Sequence, residues 1–544
     1  MSRSLQSFLL EGAEPHWGYD SRKVDRNLED LVFSEIYIQP VEQYTKEVLD
    51  SVICRDLVGA GIIEISAILS CRLGLAKMVE ALVIQWLRKA WKEYKAAARE
   101  TETRGTDYET FCNLLIFENT SEFSSLGAFL RLRVGRSARM WASAMLIFLS
   151  RLQKDIYKIN NMFVSSGSAG PVIHIEGFLS DPHEFNQTVL CLTFHSGEKV
   201  IYKPRSVRGE FIYNAIAEYV ERAASICIQS RFWVIDAGEY GWCEFVYARD
   251  GSCAAVAAEF YERCGALLAL MWLLGATDLH KDNLLAVGSV PCVIDSEGLF
   301  QPLKNSGSLI NQIRRTGLVG LSMQKSTGDI EDLSGLALYK TNFTYRRLVT
   351  VDAKEDDMRF RFKVCLGPAK LTNVFCSAGN RLYGGDYTDD VLRGFTSMLK
   401  FVKYDSNMCS KSSFIKDLSF GFLPRVFLRP TAHYLRLARN LNPHLVGQEE
   451  YPEGSKPSRV PDCVGEAEAY DAAVGDVPCF RVSMNDNKLL WRGSCLSGRY
   501  GGLDSWSSFL GRVQMCHTDL SSSLTDACHR ALRAEISALG SVRP

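Results

Sequence analysis

The side chains best suited to chemistry lie between Leu273 and Phe300, in two groups. The first group is Asp278, His280, Lys281, Asp282 and Asn283, and the second is Asp295 and Glu297. A Gly-Ser turn between two short apolar runs predicts a hairpin that carries both groups at one end. Oxygen ligands at such an end suit Mg²⁺, which takes one or two carboxylates together with substrate phosphate oxygens. The alternative is a surface hairpin with polar loops.

The order of three of these residues is compatible with phosphate transfer. In protein kinases a loop Asp, an Asn a few residues later and an Asp at a later strand end act on the phosphate and its metal ions. Asp278, Asn283 and Asp295 have this order, and the last two are close enough in sequence to lie at the ends of one hairpin.

A lysine upstream could anchor a nucleotide. Lys203 ends a predicted strand that begins at Lys199, just before Pro204. A lysine at a strand end that faces a cleft can pair with nucleotide phosphates. The helix predicted from Gly209 to Ala224 could supply its carboxylate partner, either Glu210 or Glu218. For a lone lysine the alternative is a solvated surface charge.

A turn before the next strand carries a second candidate pair. Asp181 and His183 belong to the sequence Ser-Asp-Pro-His, ahead of a strand that starts near Gln187. Histidine titrates near neutrality, so His183 could act as a base or an acid, and Asp181 could orient it. An Asp-Pro turn alone also explains Asp181.

Several basic residues and a hydroxyl are clustered further along the chain, at Arg425, Arg429, Arg436, Arg439, Thr431, His433 and Tyr434. Arginine with a hydroxyl is a good phosphate receptor, because the guanidinium fork binds oxygens bidentately. The alternative is an amphipathic helix with a basic solvated face.

The elements that must position these residues change in type along the chain. Helical periodicity dominates up to about residue 165, with a helix predicted from Leu57 to Trp91 and an apolar stripe from Trp141 to Ile159. Short strands follow a Ser/Gly-rich boundary at residues 165–170, and residues 305–335 are expected to form a mobile segment beside the cleft. An α+β fold follows, with predicted regions at 1–165, 166–250, 251–450 and 451–544, the last starting with a linker from Tyr451 to Val464.

Composition excludes several classes of protein. Hydrophobic residues make up 47% and charged residues 23% of the 544 residues, which is typical of a globular protein. The net charge of −1 gives no global field that would attract nucleic acid. The apolar patch at residues 8–10 is too short for a signal peptide, and no run is long enough to span a membrane. The 17 cysteines are dispersed, so ordinary thiols in a reducing, cytoplasmic setting are expected.

Eight separate motifs, in order along the chain, resemble the dehydratase domain of the class II lanthionine synthetases, the LanM type. They are SDPH (Ser180–His183), GxxVIYKPRS (Gly197–Ser206), GWxEF (Gly241–Phe245), DLHxxN (Asp278–Asn283), IDSExLF (Ile294–Phe300), DLS (Asp332–Ser334), RxxxRPTxxY (Arg425–Tyr434) and GDVPxF (Gly475–Phe480). The resemblance implies a lipid-kinase-like bilobal core with large helical N-terminal and C-terminal additions. It also implies an enzyme that phosphorylates Ser and Thr of a precursor peptide with ATP and then eliminates the phosphate.

The resemblance assigns a role to each candidate. Lys203 would hold the ATP phosphates, and Asp278, with His280 beside it, would be the base for the substrate hydroxyl or would orient it. Mg²⁺ would be held by Asn283 and Asp295, and Glu297 would assist there. Arg425 and Thr431 match the family's elimination residues, and Asp181 and His183 match positions associated with the same step.

The sequence departs from the full-length family at its end. The family carries a second domain, a zinc cyclase, and this chain ends at Pro544 without ligands at the spacing such a domain needs. A stand-alone dehydratase is therefore expected, whose partners are a precursor peptide with a leader and a possible separate cyclase. Two alternatives stay open: a kinase-like phosphotransferase that stops at the phosphorylated product, and a catalytically silent peptide-binding module.

Overall fold

Helices and short antiparallel strands share the chain, which confirms the predicted α+β class. The computed structural model describes residues 31–100, 107–117, 124–164, 169–302, 308–340, 342–367, 371–405, 414–440, 462–500, 503–518 and 520–540. Within these ranges no helix is long and apolar enough to cross a membrane. The kinase-like bilobal arrangement and the four region boundaries stay predictions. The apolar patch at residues 8–10 and positions 165–168 of the Ser/Gly-rich boundary lie outside the described residues.

The first part of the chain is a layer of helices, as predicted. They are α1 (Ser34–Leu49), α2 (Val52–Gly59), α3 (Ile65–Glu100), α4 (Tyr108–Phe117) and α5 (Ser124–Phe163). The expected helix from Leu57 to Trp91 is wrong at its start, because the chain leaves the helical conformation between α2 and α3. There the backbone N–H of Glu64 donates to the carbonyl of Val172 at 2.9 Å, and the N–H of Val172 donates to Ile62 at 2.8 Å. Pairing with a distant strand therefore replaces local helix bonds.

An antiparallel sheet packs against this helical layer. Its strands are β1 (Val172–Glu176), β2 (Leu190–Phe194), β3 (Lys199–Lys203), β4 (Val234–Asp236) and β5 (Gly241–Glu244), in the order β1-β2-β3-β5-β4. Phe148 from α5, Tyr202 and Trp242 meet in the core between the layers, with the Tyr202 and Trp242 rings 4.9 Å apart. The strand predicted to start near Gln187 begins at Leu190, and the strand predicted to end at Lys203 does so. The helix α6 (Arg208–Ala224) follows β3 as predicted.

A second core surrounds the long apolar helix α7 (Ala257–Leu273), which a 3-10 turn at Ala254–Val256 precedes. The hairpin of β6 (Leu284–Val287) and β7 (Val290–Val293) follows α7 and confirms the predicted turn. Residues 308–335 are not irregular throughout, because they form α8 (Leu309–Arg314) and the hairpin of β8 (Ser322–Gln324) and β9 (Ile330–Asp332).

A long two-stranded hairpin comes next, formed by β10 (Thr344–Val351) and β11 (Arg359–Leu366). Its far end is anchored on α3, where the Trp91 indole donates to the carbonyl of Met358 at 2.9 Å. Along β11, Phe362, Val364 and Leu366 are 46%, 59% and 78% exposed. In the described part of the chain no further strand pairs with this hairpin.

The remaining elements complete the second core and add a small sheet. They are β12 (Phe375–Ser377), β13 (Asn380–Leu382), a 3-10 turn (Gly384–Tyr387), α9 (Thr388–Tyr404), α10 (Phe414–Leu418), β14 (Arg425–Val426), α11 (Thr431–Asn440), α12 (Asp462–Val474), β15 (Phe480–Val482), β16 (Lys488–Trp491), β17 (Ser494–Arg499), α13 (Ser505–His517) and α14 (Leu520–Gly540). The small sheet has the order β14-β15-β16-β17. The predicted linker from Tyr451 lies outside the described residues up to Pro461, and its last residues are helical because α12 begins at Asp462.

Glycines allow α7 and α9 to touch backbone to backbone. A Cβ on Gly265 would lie 1.9 Å from the carbonyl oxygen of Val391, and a Cβ on Gly394 would lie 1.7 Å from that of Glu262. Real Cβ atoms do not approach backbone this closely, so the helices must separate when either glycine is replaced.

We expect Gly265→Ala to lower the free energy of unfolding by about 3 kcal/mol, because the extra methyl group overpacks a close helix crossing. Gly511→Ala is the matched control, since no atom lies within 4 Å of its added Cβ on α13. Alanine there should raise stability by about 0.5–1 kcal/mol. Urea unfolding followed by circular dichroism measures both, and equal effects of the two substitutions would contradict the close crossing.

Candidate active site

Two polar loops meet at the open end of the β6–β7 hairpin, as the sequence predicts. The backbone N–H of Ile294 donates to the carbonyl of Asn283 at 3.1 Å. Asn283 and Asp295 therefore lie next to each other where the two strands end. The Asn283 amide also donates to the carbonyl of Asp278 at 2.7 Å, which closes the loop that carries Asp278 and His280.

Asp278 has a left-handed backbone, with a φ of 68°. Aspartate is one of the non-glycine residue types that adopt this conformation most often. The Oδ1 of Asp278 lies 4.0 Å from His280 Nε2, and 40% of the Asp278 side chain is exposed. Partial burial raises the pKa of the carboxyl to about 6, against the opposing effect of His280 and Arg425. A raised pKa makes this carboxylate a better proton acceptor.

Lys203 forms a buried ion pair with one of its two predicted partners. Its Nζ donates to Glu210 Oε1 at 2.7 Å and to the carbonyl of Ile294 at 2.7 Å, and it lies 3.8 Å from Asp295 Oδ2. Glu218 pairs instead with Arg222 on the same helix. Burial alone would lower the pKa of Lys203, but Asp295 and Glu210 raise it above its ordinary value. The alternative of a solvated surface lysine is therefore wrong.

Arg205 joins this lysine cluster to the acidic loop. Its guanidinium lies 2.9 Å from Glu210, 2.7 Å from Asp295 and 3.2 Å from Glu297. Sequence reasoning gave Arg205 no role. The available signal was its place two residues after Lys203, with Pro204 ending the strand between them.

Glu297 extends the network to the second set of predicted residues. Arg425 Nη1 donates to Glu297 Oε1 at 2.5 Å, and the Arg425 backbone N–H donates to the Glu297 carbonyl at 2.9 Å. Arg425 Nη2 lies 3.2 Å from His183 Nε2. Burial would raise the pKa of the Glu297 carboxyl, but Arg425 and Arg205 hold it well below its usual range. Glu297 is therefore an anion clamped between two arginines.

The contacts of His183 fix its protonation state. His183 Nδ1 lies 2.6 Å from the carbonyl oxygen of Val477, so this nitrogen carries the proton and donates it. Nε2 is left with a lone pair, which accepts from Arg425. Burial and the positive charge of Arg425 lower the pKa of His183 to about 3. His183 thus positions Arg425, and the carbonyl of Val477, rather than Asp181, orients the ring.

This protonation state predicts a pH dependence of stability. The unfolded chain takes up a proton on this histidine near pH 6.5, whereas the native state does so only near pH 3. The stability that neutral His183 contributes is therefore present above pH 6.5 and is lost as the pH falls toward 3. We expect a loss of about 1–2 kcal/mol between pH 7 and pH 5.

The variant His183→Gln keeps an acceptor for Arg425 and should remove this part of the pH dependence. His174→Gln, on the exposed side of β1, is the control and should leave the dependence unchanged. Urea unfolding at both pH values measures the effect. A pH dependence that His183→Gln leaves unaltered would show that the histidine is not held neutral.

Asp181 lies within electrostatic range of Arg425, His280 and Arg439. Burial raises the pKa of its carboxyl, and Arg425, His280 and Arg439 partly offset that effect. Asp181 is thus electrostatically coupled both to the loop of Asp278 and to Arg425. The raised pKa makes Asp181 a better proton acceptor than an ordinary aspartate.

Thr431 begins α11 and lines a small cleft together with Arg425. Arg429 lines the same cleft, but its Nε and Nη2 donate to Glu468 at 2.9 and 2.7 Å. The predicted basic cluster is therefore divided. Arg425 faces the acidic loop, and Arg429 bonds α12. Arg436 is exposed, so the alternative of a solvated helix face holds for this residue.

These contacts bring the predicted site residues into one connected region. A family model described as "Domain of unknown function (DUF4135)" matches residues 128–483, which is well over half of the chain and contains that region. The chain belongs to the DUF4135 family. Among curated proteins, the DUF4135 chain is similar to the lacticin 481/lactococcin biosynthesis protein LcnDR2 of Lactococcus lactis subsp. lactis, with 25% identity over 312 residues.

The alignment covers 53% of this DUF4135 chain and 33% of the Lactococcus protein. The match therefore spans about a third of the relative's length. The family match and this relative together confirm the resemblance to the LanM-type lanthionine synthetases. The residues that the family model matches, 128–483, contain all eight motifs.

The DUF4135 site offers oxygen ligands that fit Mg²⁺. Asn283 and Asp295 lie side by side at the hairpin end, and Mg²⁺ takes few protein ligands alongside waters and phosphate oxygens. In the part of the chain that the structure describes, no group of three or more His, Cys, Asp or Glu side chains could hold a metal ion by itself. This donor set therefore fits a metal ion that binds together with the phosphate oxygens of a nucleotide better than a metal ion held by the protein alone. The role of Glu297 in metal binding stays a prediction; its carboxylate lies 2.5 Å from Arg425 and 3.2 Å from Arg205.

Proposed function

We propose that this chain is a lanthipeptide-type dehydratase. It phosphorylates Ser and Thr of a ribosomally made precursor peptide with ATP, and then eliminates the phosphate to give dehydroalanine and dehydrobutyrine. One observation carries the proposal. A continuous chain of ion pairs and hydrogen bonds runs from Lys203 through Glu210, Arg205, Glu297 and Arg425 to His183, which supports a single site for the proposed nucleotide anchor and elimination residues.

The first half of the reaction needs a nucleotide anchor, a base and charge neutralisation. The buried Lys203–Glu210 pair links a strand end to the following helix, as the strand lysine and helix glutamate do in protein kinases, which supports the kinase-like core. Asp278 is placed to accept the proton of the substrate hydroxyl. Asn283 and Asp295 would hold Mg²⁺, which neutralises phosphate charge during transfer.

Asp295 is paired with two cationic side chains, Arg205 and Lys203, which would also attract phosphate. Its oxygens lie 2.7 Å from Arg205 and 3.8 Å from Lys203. Nucleotide phosphates compete for these two side chains, and the carboxylate that they release becomes a free oxygen ligand. Nucleotide and metal binding at Asp295 are thus expected to support each other.

The second half of the reaction is an elimination. A base takes the proton from Cα, the C–H electron pair becomes the Cα=Cβ bond, and the Cβ–O bond breaks so that phosphate leaves with its electrons. Arg425 is the cation placed to stabilise the leaving phosphate, with Thr431 in the same cleft. Because the Nε2 lone pair of His183 is engaged by Arg425, Asp181 is the better candidate for the base.

The test is incubation of the purified chain with ATP, Mg²⁺ and the precursor peptide encoded beside its gene, followed by mass spectrometry. We expect the loss of one water per modified residue, dependent on ATP. Asp278→Asn serves as the inactive control. Phosphate adducts without water loss from the wild type would favour a kinase that stops at the phosphorylated product. No mass change with a peptide of verified sequence would favour a silent binding module.

A further inference from the structure

Two arginines lie directly opposite each other on neighbouring strands of the small sheet. Arg425 on β14 pairs with Arg481 on β15. In the neighbouring pair, the N–H of Val482 donates to the carbonyl of Pro424 at 2.9 Å. Hydrogen-bonded and non-hydrogen-bonded pairs alternate along antiparallel strands, so Arg425 and Arg481 form a non-hydrogen-bonded pair. In such pairs the side chains share one face and their Cβ atoms are only about 4.5–5.5 Å apart.

The two guanidinium groups differ in their partners. Arg425 bonds Glu297 and His183. The Arg481 side chain is half-buried, and its guanidinium has no hydrogen bond or ion pair with another of the described residues. Its positive charge helps to lower the pKa values of Glu297 and His183, so the Arg481 guanidinium lies in the same region as that of Arg425.

This arrangement costs free energy when no anion is present. Like charges directly opposite each other on a sheet repel, and a partly buried charge without a partner loses hydration. The single charge of Glu297 is already shared between Arg425 and Arg205. An anion between the two arginines would remove both costs.

The chemistry of the groups selects a phosphate. A guanidinium fork binds phosphate oxygens bidentately, and Thr431 adds a hydroxyl at the cleft that Arg425 lines. We propose that Arg481 and Arg425 form a binding site for a phosphate monoester or free phosphate. This inference rests on the proposed function in one respect: the phosphorylated Ser or Thr of the substrate would be the source of that phosphate.

The affinities for inorganic phosphate, a phosphoserine peptide and ATP are measured by calorimetry for the wild type, Arg481→Met and Arg481→Lys. Arg347→Met, on the exposed hairpin strand β10, is the matched control. We expect Arg481→Met to weaken both phosphate and phosphopeptide binding by about tenfold or more, the effect of one charged hydrogen-bonding group. Arg481→Lys, which keeps the charge but loses the fork, should weaken them less. ATP binding and the control should be unchanged.

Thermal melting separates a binding role from a structural one. In phosphate-free buffer Arg481→Met should melt no lower than the wild type, because the substitution removes repulsion, but phosphate should stabilise it less. A lower melting temperature without phosphate, or phosphate affinity equal to that of the wild type, would overturn the inference. Equal loss of ATP affinity would assign Arg481 to the nucleotide instead.

Failure of this phosphate site and failure of the proposed dehydratase function give different results. Phosphate binding that depends on Arg481, in a protein that never dehydrates peptide, supports this site and removes the dehydratase proposal. Normal dehydration together with Arg481-independent phosphate binding keeps the proposal of function and removes this site.

Discussion

Lys203→Ala is expected to return the precursor peptide unmodified, with neither phosphate adducts nor dehydrated residues. The Lys203 ammonium is buried between Glu210 and the Ile294 carbonyl and faces Asp295, where it can meet nucleotide phosphates. Removal of a fixed cation from a transferring phosphoryl group should slow phosphorylation by about a thousandfold. Mass spectrometry of the peptide after incubation with ATP and Mg²⁺ measures the loss.

The variant should stay folded, because Arg205 still neutralises Glu210 at 2.9 Å. Lys199→Ala, on the same strand β3, is the matched control and should keep most of the activity. A Lys203→Ala protein with an unchanged melting temperature and a tenth or more of wild-type dehydration would rule out Lys203 as the nucleotide anchor.

Arg425→Met is expected to do the opposite, leaving phosphorylated peptide as the end product. The nucleotide anchor is not altered by the substitution, and Arg205 remains next to Glu297 at 3.2 Å. The leaving phosphate loses its cation, so elimination should slow by about a hundredfold to a thousandfold. Arg436→Met, exposed on α11, is the control and should release dehydrated peptide normally.

A synthetic phosphoserine peptide separates the two steps without nucleotide. The Lys203→Ala protein should still eliminate phosphate from it, whereas the Arg425→Met protein should not. Unmodified peptide from both variants in the ATP reaction, and no elimination by either, would contradict the division of labour between the two residues.

The sequence predicts those parts of the site that depend on local order. Apolar runs separated by Gly288-Ser289 determine the β6–β7 hairpin, and Asn283 and Asp295 come together because they end its strands. Lys203 ends β3 because proline follows it, and the helix that begins at Arg208 brings Glu210 within reach. Each of these relations is contained in a short stretch of chain.

The sequence could not predict relations that depend on distant segments. The proton of His183 is fixed by the carbonyl of Val477, almost three hundred residues away and without a side-chain signal. The helix break before α3 depends on pairing with Val172. Arg481 becomes notable only when β15 lies against β14, because nothing in its immediate neighbours distinguishes it from other surface arginines.

The β10–β11 hairpin affects the behaviour of the protein in concentrated solution. The outer edge of β11 and its apolar face form a template on which a second molecule could add a strand. On the opposite face Arg361 and Lys363 carry positive charge, and Arg359 lies 3.3 Å from Asp352. Two molecules approaching edge to edge would bring these cations together and repel each other. Salt shortens the range of this repulsion, from about 8 Å at physiological ionic strength to about 3 Å at 1 M. We therefore expect the protein to aggregate less at low ionic strength than at high ionic strength.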